Sequence, residues 1–241
     1  MQPQLSPFDG VLLIDKPAGM TSHDVVDRVR RHFGFKKVGH CGTLDPAATG
    51  LLILVLERAT KLQDRLMSDD KAYEGAMILG VSTDSQDADG EIIAEKPVPP
   101  LTAEDIEEVL AKFRGDIQQI PPMVSAVKHQ GTPLYKLARK GKTVERKPRL
   151  IHIYDLRVLG LALPRITFRV ACTKGTYVRT ICSDVGDLFG CGAHLHELRR
   201  TRSGKFDVNE AHQLQTVLTL SREELKALII PILKFVGSSA A

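Results

Sequence analysis

The feature that most constrains the fold is a run of six consecutive apolar residues, 51–56, preceded by a loop rich in glycine and proline. An uninterrupted apolar run of this length is typical of a central, buried strand. The loop contains Gly42, the pair Asp45-Pro46, and Gly50. A loop of this kind can hold one side chain rigidly at a sheet edge. Asp45 is therefore a candidate functional carboxylate, although Asp before Pro is more often an ordinary turn-former.

The remaining patterns predict more strands than helices, without regular alternation between them. Strands are predicted over residues 10–15, 71–81, 91–94, 151–159 and 166–172, and helices over 22–33, 59–67, 102–114, 134–140, 177–189 and near 221–229. The expected helix ends are an N-cap at Ser22, a stop at Gly34, and capping boxes at Thr102–Asp105 and Ser221–Glu224. Residues 87–90 are expected to form a turn. This order favours an α+β fold with a mixed sheet over a doubly wound one. The length of 241 residues suits one large domain or two small ones.

The compartment and the metal content follow from what the chain lacks. No apolar run approaches the roughly 20 residues of a membrane span, and residues 1–4 do not begin a signal peptide. We therefore expect a cytoplasmic protein. The four cysteines form no C-x-x-C pair; Cys182 and Cys191 lie near His194 and His196, but their spacing fits no common metal motif. We expect no bound metal.

The net charge of +4 is unevenly distributed, because residues 82–108 are acidic and two other segments are basic. Residues 125–149 hold eight basic side chains and one acid, Glu145; the basic residues are Lys128, Lys136, Arg139, Lys140, Lys142, Arg146, Lys147 and Arg149. A second cluster contains Arg199, Arg200, Arg202 and Lys205. One such cluster alone is commonly a solvated face, but two predict a polyanionic partner. Residues 121–149, polar and punctuated by glycine, are expected to protrude from the core.

Short motifs recur in order along nearly the whole chain. They are Asp15 to Ser22 (D-K-P-A-G-M-T-S), His40 to Gly50, Ala59 to Leu62 (A-T-K-L), Lys71-Ala72-Tyr73, Gly80 to Gly90 with Thr83 and Asp87, Pro121 to Met123 followed by Ser125-Ala126, Cys172 to Thr180 (C-T-K-G-T-Y-V-R-T), and Leu198 to Thr201 (L-R-R-T). Together they closely resemble the TruB family of tRNA pseudouridine synthases. The chain departs from the family pattern at Val124, where Tyr is usual, and at Arg58, where a small residue is usual.

The resemblance implies an α+β fold with a mixed, largely antiparallel sheet core, flanking helices and a basic insertion that clamps RNA. Residues 1–241 are expected to form a single catalytic domain, with insertion 121–149 closing over the RNA. The C-terminal PUA-like RNA-binding domain of many bacterial members is expected to be absent. The implied reaction converts uridine 55 in the T-loop of tRNA to pseudouridine by base flipping. The glycosidic bond is cleaved and re-formed, and because nothing is oxidised and no group enters, no cofactor is expected.

The resemblance also assigns roles to individual residues. Asp45 is the catalytic carboxylate, acting either as a nucleophile or as a base that begins an elimination at C2′. Arg179 is the cation paired with it, and Tyr73 stacks on the uracil. The remaining substrate-binding residues are His40, which fills the vacated stack, Tyr177, Leu198, Lys16 and Lys61. Contacts to the RNA backbone are expected from Lys128, Lys136, Arg139, Lys140, Lys142, Arg146, Arg199 and Arg200. Judged without the resemblance, both tyrosines would be core residues and Arg179 a surface arginine.

Two other functions compete with a stand-alone synthase. One is a guide-RNA-dependent synthase of the Cbf5/dyskerin type, which shares these motifs but needs partner proteins. The other is an RNA-binding chaperone that refolds tRNA. We expect a monomer whose partner is the T-arm stem-loop of tRNA, without a membrane or an obligatory protein partner.

Overall fold

A computed structural model describes residues 5–125 and 127–236. The predictions made on residues 1–4, and on Ala126 of the Ser125-Ala126 motif, lie outside the described residues.

The strands and helices are numbered in chain order. The strands are β1 (Gly10–Lys16), β2 (Val38–His40), β3 (Thr49–Leu56), β4 (Lys71–Leu79), β5 (Val81–Thr83), β6 (Ile92–Glu95), β7 (Gly115–Gln119), β8 (Lys128–His129), β9 (Thr132–Pro133), β10 (Arg149–Ala162), β11 (Arg165–Cys172), β12 (Ala193–Ser203), β13 (Phe206–Asp207), β14 (His212–Gln213) and β15 (Ile230–Pro231). The α-helices are α1 (Ser22–Phe33), α2 (Gln63–Met67), α3 (Ala103–Ala111), α4 (Leu134–Ala138), α5 (Val178–Leu188), α6 (Leu214–Val217), α7 (Arg222–Leu225) and α8 (Leu233–Val236). Short 3₁₀ helices cover Glu57–Leu62, Val208–Glu210 and Lys226–Leu228.

The chain divides into two compact units. The first unit contains the described residues up to Lys71 and those from Arg199 onward, and the second unit contains Ala72–Leu198. Strand β12 contributes residues to both units.

The first unit is built on β1 and β3, which pair antiparallel from Gly10↔Leu56 to Lys16↔Gly50. Strand β1 also pairs with β14 in parallel, and β3 pairs in parallel with the first-unit end of β12. From Gly50 to Leu56 every residue of β3 is buried, so the predicted central strand is confirmed. One core cluster lies along these strands and includes Val11, Leu13, Leu51, Ile53, Val55, Phe206 and Phe235.

Helix α1 covers the predicted residues, 22–33, but its N-cap is not the predicted one. Thr21, not Ser22, is the N-cap, and it forms a capping box with Asp24. Gly34 ends the helix in the left-handed conformation, as expected. Ser22 is instead a buried helical residue, and its hydroxyl is available for a contact outside the helix.

The second unit holds the strands β4, β11, β10 and β7, which are neighbours in that order. Strand β10 is antiparallel to both β11 and β7. Two short antiparallel pairs, β5 with β6 and β8 with β9, lie outside this sheet. The pairing confirms an α+β fold with a mixed, mostly antiparallel sheet.

Candidate active site

In the first unit, the loop that carries Asp45 is held from both sides. Ser22 of α1 reaches it twice: its Oγ accepts the Leu44 N–H at 2.9 Å and donates to the Leu44 carbonyl at 3.1 Å. The Ala48 N–H donates to the Asp45 carbonyl at 3.1 Å, which closes a turn around the carboxylate. Asp45 itself is half-buried. The loop therefore presents its carboxylate from a fixed backbone.

Lys16 lies entirely inside the protein and braces the same loop. Its Nζ donates to the carbonyls of Pro17 at 2.8 Å, Met20 at 2.7 Å and Pro46 at 3.1 Å. Burial lowers the pKa of Lys16 to about 8, although the negative charge of Asp45 opposes the shift. The prediction that Lys16 contacts the substrate directly is wrong, because its side chain has no exposed surface.

Arg200 is also internal, with 1% of its surface exposed. Its Nε donates to the Leu51 carbonyl at 2.7 Å and its Nη2 to the Gly42 carbonyl at 3.1 Å. The predicted phosphate contact by Arg200 is therefore wrong, because a guanidinium occupied by backbone carbonyls in the interior cannot reach a phosphate. The error arose from counting Arg200 with its exposed neighbours in a basic cluster.

The other predicted residues of the first unit are closer to the surface. Burial, followed by the positive charge of Arg200, lowers the pKa of His40, which favours the neutral imidazole. Its Nδ1 is buried and has no hydrogen-bond partner among the described residues. Lys61 is exposed in a 3₁₀ helix. Arg199 forms a bidentate ion pair with Asp15, at 2.9 and 2.8 Å.

In the second unit, Arg179 is held at the start of α5 and is 4% exposed. Its Nη1 donates to Asp87 Oδ2 at 2.9 Å and its Nη2 to the Val124 carbonyl at 2.6 Å. The other carboxylate oxygen of Asp87 accepts from the Ser85 hydroxyl and from the Asp89 N–H. Arg179 is thus a buried, oriented cation, not a surface arginine.

Sequence reasoning missed Asp87 as the partner of Arg179. The signal in the sequence was that Asp87 lies in one of the recurring motifs, Gly80 to Gly90. Asp87 was given no role there beyond that of a turn residue. The predicted pairing of Arg179 with Asp45 stays a prediction.

Tyr177 is positioned through its backbone by a buried glutamine. Gln119, at the end of β7, accepts the Tyr177 N–H at 2.8 Å and donates to the Tyr177 carbonyl at 3.0 Å. The Arg179 guanidinium carbon lies 5.9 Å from the centre of the Tyr177 ring. Gln119 was also missed, because a single glutamine at a strand end carries no recognisable sequence signal.

Tyr73 and Leu198 lie on β4 and β12, and both belong to the second unit. Tyr73 is 9% exposed and Leu198 is half-buried. Gly75 permits the close approach between these strands: a Cβ there would lie 2.6 Å from the Glu197 carbonyl oxygen and 3.3 Å from Leu198 Cδ1.

In the basic segment, residues 121–149, most of the side chains that are predicted to contact phosphate are exposed. Lys128, Lys136, Arg139, Lys140 and Lys142 are exposed. Arg146 is different, because it is half-buried and its Nη1 donates to the Pro121 carbonyl at 3.1 Å. The backbone of this segment also contacts the site, since its Val124 carbonyl accepts a hydrogen bond from Arg179.

Among the described residues, no group of three or more His, Cys, Asp or Glu side chains could hold a metal ion. The four cysteines are buried free thiols, and burial raises the pKa of Cys41 to about 12. Within the described ranges, no helix combines the length and apolar character needed to cross a membrane.

Comparison with known proteins gives one family over almost the whole chain. Residues 30–178 match the TruB family pseudouridylate synthase N-terminal domain, and residues 179–236 match the tRNA pseudouridylate synthase B C-terminal domain. The tRNA pseudouridine synthase B of Opitutus terrae is 52% identical, over 93% of this chain and 93% of that protein. The protein of the same name from Syntrophotalea carbinolica is 50% identical, over 93% of this chain and 74% of that protein.

The chain is also similar to solved structures, at lower sequence identity. A Cbf5-Nop10-Gar1 complex contains a chain with a TM-score of 0.76 and 31% identity, covering 95% of this chain. An H/ACA RNP bound to a substrate RNA containing 2′-deoxyuridine gives a TM-score of 0.72 at 28% identity, again over 95% of this chain. The present chain spans 62% and 61% of the lengths of those two chains. On its sequence matches, this chain belongs to the TruB family of pseudouridylate synthases.

Proposed function

We propose that this protein converts uridine 55 in the T-loop of tRNA to pseudouridine, with Asp45 as the catalytic carboxylate. The observation that carries the proposal is the construction of the Asp45 loop. Ser22 and Lys16 bond to the loop backbone, and the carboxylate itself stays half-buried. A reacting group benefits from this arrangement because its geometry is fixed before the substrate arrives.

The reaction breaks the N1–C1′ bond of the uridine, rotates the base, and joins C5 to C1′. The proton on C5 is then released and N1 ends protonated, so atoms and electrons balance without an external reactant. Asp45 serves either by attacking C1′ or by removing the C2′ proton. In both routes it must begin as an ionised carboxylate, and in our proposal Arg179 supplies the cation that pairs with it.

The target base must leave its stack to react. We assign Tyr73 to the face of the flipped uracil, Tyr177 and Leu198 to the walls around it, and His40 to the vacated position in the RNA. The neutral imidazole of His40 suits such a stacking role, since burying a neutral ring costs less than burying a charged one.

Binding is assigned to the exposed cations of the basic segment, with Arg199 and Lys61 as further contacts to RNA. Phosphate contacts of this kind fix the position of the RNA without reading its sequence. We further propose that the protein acts in the cytoplasm as a monomer and without a protein partner.

The test is incubation of the purified protein with an unmodified T-arm hairpin, followed by a pseudouridine-specific chemical probe. The proposal predicts product at position 55 and none in a hairpin that carries cytidine there. Product that appears only after a guide RNA and partner proteins are added would contradict a stand-alone enzyme. RNA binding without any product would instead favour a chaperone.

A further inference from the structure

We propose that Arg200 is a positioning residue for Asp45: it ties together the two ends of the catalytic loop and makes no contact with RNA. The inference rests on the proposed function, because it concerns the same carboxylate. It replaces the phosphate contact that the basic cluster predicts with a role inside the protein.

The two acceptors of Arg200 bracket the loop. Gly42 precedes Asp45 by three residues, and Leu51 follows it by six, as the third residue of β3. The guanidinium reaches both carbonyls at once, through Nε to Leu51 and Nη2 to Gly42. Residues 43–50 are therefore closed at their base by one rigid planar group. An ammonium is a compact donor and lacks this fork geometry.

The backbone of Arg200 is fixed against the same loop. Arg200 pairs with Gly50 across the parallel strands β12 and β3. A Cβ at Gly50 would lie 2.3 Å from the Arg200 carbonyl oxygen, so only glycine permits this approach. The approach at Gly42 is less close, since a Cβ there would lie 3.3 Å from Arg200 Nη1, at the end of the side chain. The two glycines flank Asp45, and both have positive φ angles, of 92° at Gly42 and 97° at Gly50.

Arg199, which precedes Arg200 in the sequence, does not share its positioning role. Arg199 has 42% of its side chain exposed and pairs with a carboxylate, that of Asp15. Arg200 is 1% exposed and bonds to neutral carbonyls. Because successive residues of a strand face opposite sides, the two arginines serve different surfaces. Arg199 lies in an ion pair at the surface, whereas Arg200 is committed to the interior.

The experiment compares Arg200→Lys with the wild-type protein and with Arg31→Lys, an exposed arginine on α1. Single-turnover isomerisation of the T-arm hairpin and the Kd for the same hairpin are measured for each. Since a displacement of about 1 Å can cost a reaction on the order of 100-fold, we expect the Arg200→Lys rate constant to fall about tenfold or more. The Kd should change by less than about twofold, because no phosphate contact is lost. The Arg31→Lys protein should match wild type in both.

A second pair of variants tests the contact from the loop side, in case Arg200→Lys does not fold. Gly42→Ala pushes against the Arg200 guanidinium, whereas Gly34→Ala introduces a side chain at another positive φ, 65°, with its nearest neighbour at 3.8 Å. We expect only Gly42→Ala to slow isomerisation. A reduced rate constant with unchanged Kd supports the proposal. An unchanged rate constant in the folded variants, or a weakened Kd with normal chemistry, would overturn it.

Amide hydrogen exchange separates this inference from the proposed function, because it needs no activity. The proposal predicts faster exchange in residues 42–50 of Arg200→Lys or Gly42→Ala, with α1 unchanged. Unchanged exchange in the loop would overturn the positioning role even in an active enzyme. Absence of product from the wild-type protein would instead overturn the proposed function, while the exchange result still decides the role of Arg200.

Discussion

Gly50→Ala should destabilise the first unit well beyond the usual effect of placing alanine in a left-handed conformation. Gly50 has φ = 97°, and a Cβ there would lie 2.3 Å from the oxygen and 2.8 Å from the nitrogen of Arg200. Both neighbours are backbone atoms, so no side-chain rotation can relieve the clash. The left-handed conformation costs about 1–2 kcal/mol, and forcing extra volume into a packed site adds about 1–3 kcal/mol.

The matched control is Gly19→Ala in the same unit. Gly19 has φ = 81°, and among the described residues no atom outside its chain neighbours lies within 4 Å of its Cβ position. Both variants therefore include the cost of placing alanine in a left-handed conformation. The difference between their free energies of unfolding measures the added steric cost of the close approach between Gly50 and Arg200 of β12.

Thermal and urea unfolding would measure that difference. For a chain of this size, 1 kcal/mol shifts Tm by roughly 2–4 °C, so Gly50→Ala should unfold about 2–12 °C below Gly19→Ala. Equal destabilisation of the two variants would refute the reasoning, since it would mean that the Gly50–Arg200 approach imposes no steric demand.

Three further outcomes are expected. Gln119→Ala leaves the N–H and carbonyl of Tyr177 unpaired, and urea unfolding should show a loss of about 2–4 kcal/mol; a loss below about 0.5 kcal/mol would contradict this. Burial, reinforced by Asp187, raises the pKa of Asp184 from 3.8 to about 6, so the folded state keeps a proton that the unfolded state loses, and stability declines as pH rises from about 4 to 6. Asp184→Asn should therefore raise Tm relative to wild type at pH 7 but not at pH 3.5, and an equal gain at both would exclude titration as the cause. Tryptic cleavage at residues 128–142 should slow when T-arm RNA is bound, and equal cleavage with and without RNA would count against closure of the basic segment.

The elements that are marked by a pattern within their own residues were predicted correctly. Strand β3 and helix α3 appear where an apolar run and a Thr102–Asp105 capping box placed them. Strands β7 and β12 were missed, because their residues are largely polar or charged and their pairing partners are distant in sequence. The helix expected near residues 221–229 is limited to α7 and a 3₁₀ turn, although its Ser221–Glu224 capping box forms as expected.

The residues of the candidate site differ in the same respect, because some lie in a recognisable motif and others carry no sequence signal. Asp45 and Arg179 could be named from motifs, but the partners that orient them could not. Lys16, Arg200 and Gln119 act through backbone carbonyls or amides, and such acceptors have no residue-specific signature in a sequence. Charge clustering also could not separate Arg199 from Arg200, because the distinction depends on which face of β12 each side chain occupies.

The most direct test of the central claim is single-turnover isomerisation of a T-arm hairpin by Asp45→Asn, with the Kd measured on the same samples. The substitution removes one negative charge and almost no volume, and it leaves the backbone bonds of the loop available. Our account predicts a Kd close to that of wild type and no detectable pseudouridine at position 55. Pseudouridine formed by Asp45→Asn at a rate near that of wild type would contradict the account.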